Sequence, residues 1–300
     1  MIPNNLKMKV KYTALALLVA PFTVALPADE IRIAASDLLA DVIRGPLESF
    51  AEINEFNLQI DGIGSLPAMD RLRANEIDLA IIALPEDQEV PREEFTIYPF
   101  AYDAAVIVTN ESNPINEISL AHLGGIYGTN EEFNFNTWGE LGLSGWGNRN
   151  IKPFTGVKSE SIALELFRYT VLSRGAMKTS VAMVQDDEVE SMVAADTASI
   201  AIMSGLPESN RLKVLMVSSG ANAPAFGPTR ENIHFGDYPI RLAFYIAFNP
   251  RDSEKLNETL RALFSEPVAE SLEAHQLFPL PLSVRRQLLV DFEFRRERAP

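Results

Sequence analysis

Cysteine is absent from this 300-residue chain, which excludes disulfides, thiol nucleophiles and thiolate metal sites together. Histidine is scarce: His122, His234 and His275 lie far apart, each in a segment that packing or a turn accounts for. Positive charge is also in short supply, with 26 Lys and Arg against 41 Asp and Glu and a formal charge of −15. Every contact to a nucleic-acid phosphate or an anionic membrane surface needs a cation, so neither is an expected partner, and a site for an anionic solute has to be built locally. The GxSxG, HExxH, phosphate-loop lysine and EF-hand patterns are missing. Ser159 and Ser161 have no evident base, and Asp186-Asp187-Glu188 reads as a helix start rather than a metal site. No enzyme activity, cofactor or metal is therefore expected. Internal repeats and low-complexity segments are absent too.

What is present is 47% hydrophobic residue content, enough for one large or two medium domains with buried cores. At the N-terminus, Lys7, Lys9 and Lys11 precede an uncharged stretch, Tyr12 to Ala28, with an apolar centre at Ala14 to Ala20. The stretch is short for a membrane span of about 20 residues and is interrupted by Pro21 and Pro27. It reads as a secretory signal peptide, residues 1–28, the alternative being an uncleaved membrane anchor. Cleavage after Ala28 takes the three lysines away and moves the charge from −15 to −18. A lipid-attachment cysteine does not exist, so the expected location is the periplasm, free of a lipid anchor.

The mature chain opens on two strand–loop–helix units. Ile31 to Ala35 reads as a strand leading into Ser36-Asp37, after which Leu38, Leu39, Val42, Ile43, Leu47, Phe50 and Ala51 recur at helical spacing, with Ser36 or Asp37 as N-cap. Asn57 to Asp61 reads as the second strand, and Gly62-Ile63-Gly64-Ser65 enters a helix with Pro67 in its first turn and Leu66, Met69 and Leu72 on one face. Units of this kind give a parallel sheet whose ligands sit at the carboxyl ends of the strands. Asn75 to Pro85 and Ala104 to Val108 read as buried strands, the second entering a crossing to another lobe, followed by a capped short helix at Ser119 to Leu123. Phe133 to Gly147, which holds both tryptophans, is expected to be a surface loop or short helix. Ile151 to Phe154 is expected as a brief strand and Thr155 to Ser159 as a loop entering the helix of Ile162, Leu164, Leu166, Phe167 and Val171. Asp186 starts a further helix; Ser199 to Met203 and Lys213 to Val217 are strands; Arg241 to Phe248 is the strand of the return crossing. Ser253 to Phe264 and Glu266 to Gln276 read as helices, and Val284 to Arg298 as a terminal helix packed on the first lobe or a docking face for a membrane partner.

The ordered series EIDLAIIALP, YPFAYDAAVIVTNESNP, ISLAHLGGIYG and TWGEL, continued by IKPFTGVKSESIALELF and PTRENIHFGDYPIRLAFYIAF, resembles the phosphate-type solute-binding proteins of bacterial ABC importers over about Ile31 to Pro281. The resemblance implies an α/β fold of the type 2 periplasmic-binding-protein kind, two-lobed, each lobe a mixed sheet flanked by helices, with a ligand cleft between them. Residues 29–103 and 240–300 would form the first lobe, and 104–239 the second. It also implies a monomer that binds a small solute, phosphate or another oxyanion, and delivers it to an ABC permease. The alternative is an extracytoplasmic sensing module that keeps the fold and acts through a protein partner.

Three loops enter helices with small or hydroxyl residues: Ser36-Asp37, Gly64-Ser65-Leu66 and Lys158-Ser159-Glu160-Ser161. Helix starts offer unpaired N–H groups and a positive dipole end, so they hold an anion without protein charge; each is equally readable as an ordinary N-cap. The resembling family uses these same loops, but this chain departs from its pattern. The third loop carries Ser159-Glu160-Ser161 in place of Ser-Gly-Thr, Thr155 stands where an arginine is expected, Leu66-Pro67 follow Gly64-Ser65 directly, and Ala83-Leu84-Pro85 replaces a polar pair. Glu160 is either a solvated cap residue or, facing the cleft, a repulsive neighbour for a dianion and a favourable one for a cationic, zwitterionic or hydroxylated solute. Asp37 is either a cap or an acceptor for a protonated oxyanion.

Overall fold

The computed structural model describes residues 30–85, 88–129, 132–146, 148–157, 162–220 and 222–298, with side chains to residue 292. The N-terminal segment 1–28 and the loop Lys158-Ser159-Glu160-Ser161 therefore lie outside the described residues. In chain order come β1 (Glu30–Ala35), α1 (Asp37–Ile53), β2 (Asn57–Gly62), α2 (Ser65–Arg73), β3 (Leu79–Leu84), β4 (Thr96–Ala104), β5 (Val106–Asn110), β6 (Glu117–Ser119) and α3 (Leu120–Tyr127). A 3₁₀ turn (Trp138–Leu141) precedes β7 (Lys152–Val157), α4 (Ala163–Leu172), β8 (Ala182–Gln185), α5 (Asp186–Ala195), β9 (Ser199–Met203), β10 (Leu212–Val214), β11 (Met216–Ser218) and β12 (Ala225–Phe226). The chain ends with α6 (Arg230–Phe235), β13 (Arg241–Phe248), a 3₁₀ turn (Pro250–Asp252), α7 (Asn257–Leu263), α8 (Glu266–Ala274), β14 (Phe278–Pro279) and α9 (Leu282–Arg298).

These elements form two mixed sheets with flanking helices, and hence the two lobes. The first sheet has the order β14-β4-β13-β3-β1-β2, parallel across β2, β1 and β3 and antiparallel through β13 and β4. The second has the order β10-β5-β9-β7-β8, parallel across β8, β7 and β9. A small third sheet, β12-β11-β6, lies beside it in sequence. Two stretches read as single strands are in fact divided. Ala104 to Val108 breaks at Ala105, where the chain leaves the first sheet as β4 and enters the second as β5; Lys213 to Val217 breaks at Leu215, whose N–H donates to the Ile107 carbonyl (2.8 Å) and sends β10 and β11 into different sheets. A run of small and β-branched residues does not mark such breaks, because the strand pattern continues across them.

The connection between the lobes is built from backbone. Ala105 N–H donates to the Ile240 carbonyl at 3.1 Å, so the outgoing and returning segments are paired where they cross. The Tyr238 hydroxyl donates to the Ala105 carbonyl at 2.7 Å from a fully buried ring, and burial pushes its phenol well above the ordinary range, so it stays a donor.

Helix α1 runs unbroken through Gly45 and Pro46. Pro46 has no N–H to give to the carbonyl of Val42 one turn earlier. That carbonyl is instead satisfied from outside the helix by the Ser271 hydroxyl of α8, at 2.6 Å. The buried face of α1, Leu39, Val42, Ile43, Leu47 and Ala51, keeps helical spacing across the proline and packs toward α7 and α8. At the far end of the lobe, α9 is tied down by the buried Arg285, which donates to the Phe264 (3.2 Å) and Ser265 (3.0 Å) carbonyls at the end of α7 and to Glu266 (2.9 Å). Phe292 meets Tyr98 edge-on at 4.7 Å, so this helix packs on the first sheet.

Phe133 to Gly147, expected as a surface loop or short helix, carries the short 3₁₀ helix Trp138–Leu141, and Trp138 adds an anchor. Its ring is fully buried and its indole N–H donates to the Ala198 carbonyl at 3.0 Å, so this surface segment is pinned to the second lobe's core at one point. Two boundaries also move inward. The strand after α2 begins at Leu79, because Asn75 adopts a left-handed turn (φ 57) that closes the helix, and α7 begins at Asn257, after the 3₁₀ turn at Pro250.

Candidate functional site

Parallel register puts the starts of α1 and α2 side by side. Ala35 pairs with Gly62 of β2 and with Ile81 of β3, so the loops after these three strands leave the same edge of the sheet. Ser36 is buried and held by its own N–H, which donates to the Ile81 carbonyl at 2.8 Å, while its carbonyl accepts from Leu39 and Ala40. It occupies the N-cap position without a side-chain capping bond, and its hydroxyl lies 3.4 Å from a carboxylate oxygen of the exposed Asp37. At the second loop, Gly64 has φ 86 and ψ 161, a region that is essentially closed to residues with a Cβ. The Ser65 hydroxyl accepts from the Ala83 N–H at 2.8 Å, which fastens the start of α2 to the end of β3. Pro67 lacks an N–H and Ala68 donates to the Gly64 carbonyl (3.1 Å), leaving Ser65 and Leu66 as the donors of that first turn. Leu66, expected on the core face with Met69 and Leu72, is instead 78% exposed, since Ala68, Met69 and Leu72 already fill the buried face.

At the carboxyl end of the second sheet the character changes. Val157 of β7, Gln185 of β8 and Met203 of β9 line a cavity of about 500 Å³ together with Asp186, Asp187, Glu190, Leu206, Glu208 and, from the first lobe, Gln276. Four carboxylates and no cation stand among the described lining residues. Asp186 lies against Gly156 so closely that a Cβ there would fall 2.1 Å from its carboxylate oxygen. The Ser204 hydroxyl donates to Asp186 at 2.6 Å and sits 2.8 Å from the Gln276 amide, which joins the lobes. Gly205 makes that approach possible, since an added Cβ would come within 2.7 Å of the Gln276 Cβ. Thr155, expected in a loop, is an interior residue of β7, fully buried and paired with Ile202. The strand continues to Val157 because both of its neighbours, β8 and β9, extend alongside it.

A second cavity, about 410 Å³, is framed by both lobes: Pro85 beyond β3, Ile162, Glu165, Leu166, Tyr169 and Thr170 along α4, and Pro239, Arg241 and Leu242 at the return crossing. Its lining is mainly apolar, with one guanidinium and one carboxylate among the described residues. Arg241 is held in place by donating to the Ile233 and His234 carbonyls and by lying 5.4 Å from the Tyr102 ring centre.

Of the sequence-derived candidates, Ser36, Asp37, Gly64, Ser65 and Leu66 are thus brought to one sheet edge, and none of them lines either cavity. Lys158, Ser159, Glu160 and Ser161 cannot be placed with them, being outside the described residues. Sequence reasoning passed over Ser204, Gly205 and Gln276, which carry no motif; the Ser-Gly pair at a strand end was the one available signal. It also passed over the α4 face, whose apolar spacing reads as ordinary core.

The sequence matches the PBP superfamily domain over residues 20–266. Protein SphX of Synechococcus elongatus is 26% identical over 222 residues, which cover 70% of this chain and 65% of SphX, just under two thirds of that protein's length. The phosphate-binding protein PstS of Pseudomonas aeruginosa is 22% identical over 276 residues, covering 85% of this chain and 84% of PstS. Among solved structures, PstS from Borrelia burgdorferi superposes with a TM-score of 0.67 at 18% identity, over 84% of this chain and 99% of that one, which is a likeness of fold.

Proposed function

Because the chain belongs to the PBP superfamily, we propose that it is a periplasmic solute receptor that closes its two lobes on a small solute and hands it to an ABC permease. The observation that carries this reading is the paired crossing at Ala105 and Ile240, which joins two α/β sheets through two short backbone segments and leaves their strand ends free to approach. Contacts made by both lobes to one solute would favour the closed population. We place the crossings between the lobes at Ala105 and Ile240, delivery to the periplasm in the leader 1–28, and no catalysis in the cleft.

The solute group we assign to the helix starts is an oxyanion, on the strength of the relative named a phosphate-binding protein. Its donors would be the first-turn N–H groups of Ser36-Asp37 and of Gly64-Ser65-Leu66, with Lys158 to Ser161 as the second-lobe contribution. The acidic cavity constrains where that group sits. Carboxylates repel a negative charge the more strongly the nearer it lies, so we assign the head group chiefly to the first-lobe helix starts. One observation favours a second reading, a sensing module acting through a protein partner: the same four carboxylates, which make the second-lobe strand ends hostile to anions.

Titration calorimetry of phosphate and sulfate into the protein from Asp29, refolded free of bound solute, separates the two. Micromolar binding, about −8 kcal/mol, accompanied by a contraction in X-ray scattering, is expected for the receptor. Absence of heat at millimolar anion together with stable capture of a protein partner would sink the receptor reading in favour of the module.

A further inference from the structure

We propose that the solute is an organic oxyanion with an apolar body, and that this body occupies the cavity framed by Pro85, Ile162, Leu166, Tyr169 and Leu242. The inference rests on the receptor reading and specifies its solute class. Volume is the first argument. About 410 Å³ is some fourteen times the roughly 30 Å³ share of one water in the liquid, and a five-heavy-atom inorganic oxyanion would leave most of it unfilled. It falls instead in the range of about 300–1,000 Å³ typical of organic-ligand pockets, which are largely apolar with a few placed polar groups.

Lining is the second argument. Pro85 and Pro239 present rings and no N–H, Leu166 and Leu242 are already packed at 7% exposure each, and Tyr169 and Thr170 are only half-buried, so the cavity is preformed yet has wall left to cover. Among the described lining residues Arg241 and Glu165 balance in formal charge, which leaves apolar area to discriminate between solutes. Position is the third. Pro85 lies two residues beyond Ala83, whose N–H is bonded to Ser65, so the first-lobe wall is tied to the helix start assigned to the head group. Because α4 supplies the opposite wall, a body lodged there touches both lobes and adds to closure.

The test is calorimetry of the protein with inorganic phosphate, then with alkylphosphonates from methyl to hexyl, and with the matching carboxylates. Burial of each methylene is expected to tighten binding about fourfold until the cavity is full, and a slope with either head group supports the proposal. Thr170→Trp, with its fold checked by circular dichroism, should abolish the chain-length dependence. Phosphate bound equally well with or without an alkyl chain would overturn this inference and leave the receptor reading intact. No binding by any member of the series, with scattering unchanged, would overturn both.

Discussion

Removing the Ser271 hydroxyl should leave the Val42 carbonyl without a partner, because Pro46 has no N–H to offer it. Val42 is 8% exposed, so water does not readily replace the lost donor. An unsatisfied buried acceptor costs about 1–3 kcal/mol, and Ser271→Ala is expected to fall in that range. The decisive comparison is the same substitution in a Pro46→Ala background. An alanine at that position regains the N–H that an α-helix directs at residue 42, so the Ser271 hydroxyl becomes redundant and its removal should cost less than about 0.5 kcal/mol. Pro46→Ala alone is uninformative, since a gain of about 3 kcal/mol in helix propensity is opposed by the freer unfolded chain, about 0.4–1 kcal/mol, and by lost ring packing. The interaction energy of the cycle isolates the carbonyl, and we expect about 1–2 kcal/mol. Urea titrations of the four proteins measure it. With a slope near 3 kcal/mol per molar urea, the single Ser271 variant should lower the midpoint by about 0.3–1 M. Equal costs in the two backgrounds would refute the argument and mean that α1 tolerates its proline by some other route.

Two further outcomes follow from the same reasoning. Burial alone would raise the Asp78 carboxyl, but hydrogen bonds from Lys255 (2.8 Å) and from the Arg32 N–H (2.9 Å), with the attraction of both cations, outweigh it and hold the group below the ordinary aspartate range. A depressed carboxylate contributes stability above its unfolded pKa of about 4 and loses it as pH falls through the lower folded value. Asp78→Asn should therefore cost about 2–4 kcal/mol between pH 5 and 8, with the difference from wild type shrinking below about pH 4; a penalty that is flat down to pH 2.5 would contradict this account. In Gly205→Ala, the new Cβ meets the Gln276 Cβ at 2.7 Å, and Gln276 sits in left-handed backbone (φ 64) that has little room to retreat. Overpacking of about 1–3 kcal/mol should move the lobes about 5- to 150-fold toward the open state, seen as a larger radius of gyration; an unchanged scattering profile would show that this contact does not govern closure.

Much of the fold was legible because it is written in local periodicity. The helical spacing of Leu39, Val42, Ile43 and Leu47 and the apolar strand of Leu79 to Leu84 each state their own element and its buried side. Chain direction between sheets was not legible. The sheet change at Ala105 depends on a bond to Ile240, 135 residues away in sequence, and no neighbouring residue encodes it. The site was half legible for a similar reason. Ser65 announces a helix start, but its hydroxyl is spent on the Ala83 N–H, a partner 18 residues on; Leu66 resembles a core leucine until the buried face is seen to be full without it.

Thr155 shows how such a position constrains ligand choice. The family pattern leads one to look for a cation there, yet the residue is an interior strand position, fully buried, with its hydroxyl 3.2 Å from the Gly156 carbonyl. A guanidinium placed there would have to displace core rather than reach solvent, at a cost of several kcal/mol. Beside it, Gly156 gives way to the Asp186 carboxylate, and the second-lobe strand ends carry negative charge. Among the described residues lining the acidic cavity, none offers a charge complementary to a dianion. The described cation that does face an inter-lobe cavity, Arg241, shares it with Glu165 and with apolar walls. In the receptor we propose, selectivity built from those parts comes from apolar area and shape, with backbone N–H groups of α1 and α2 left to orient a single polar head.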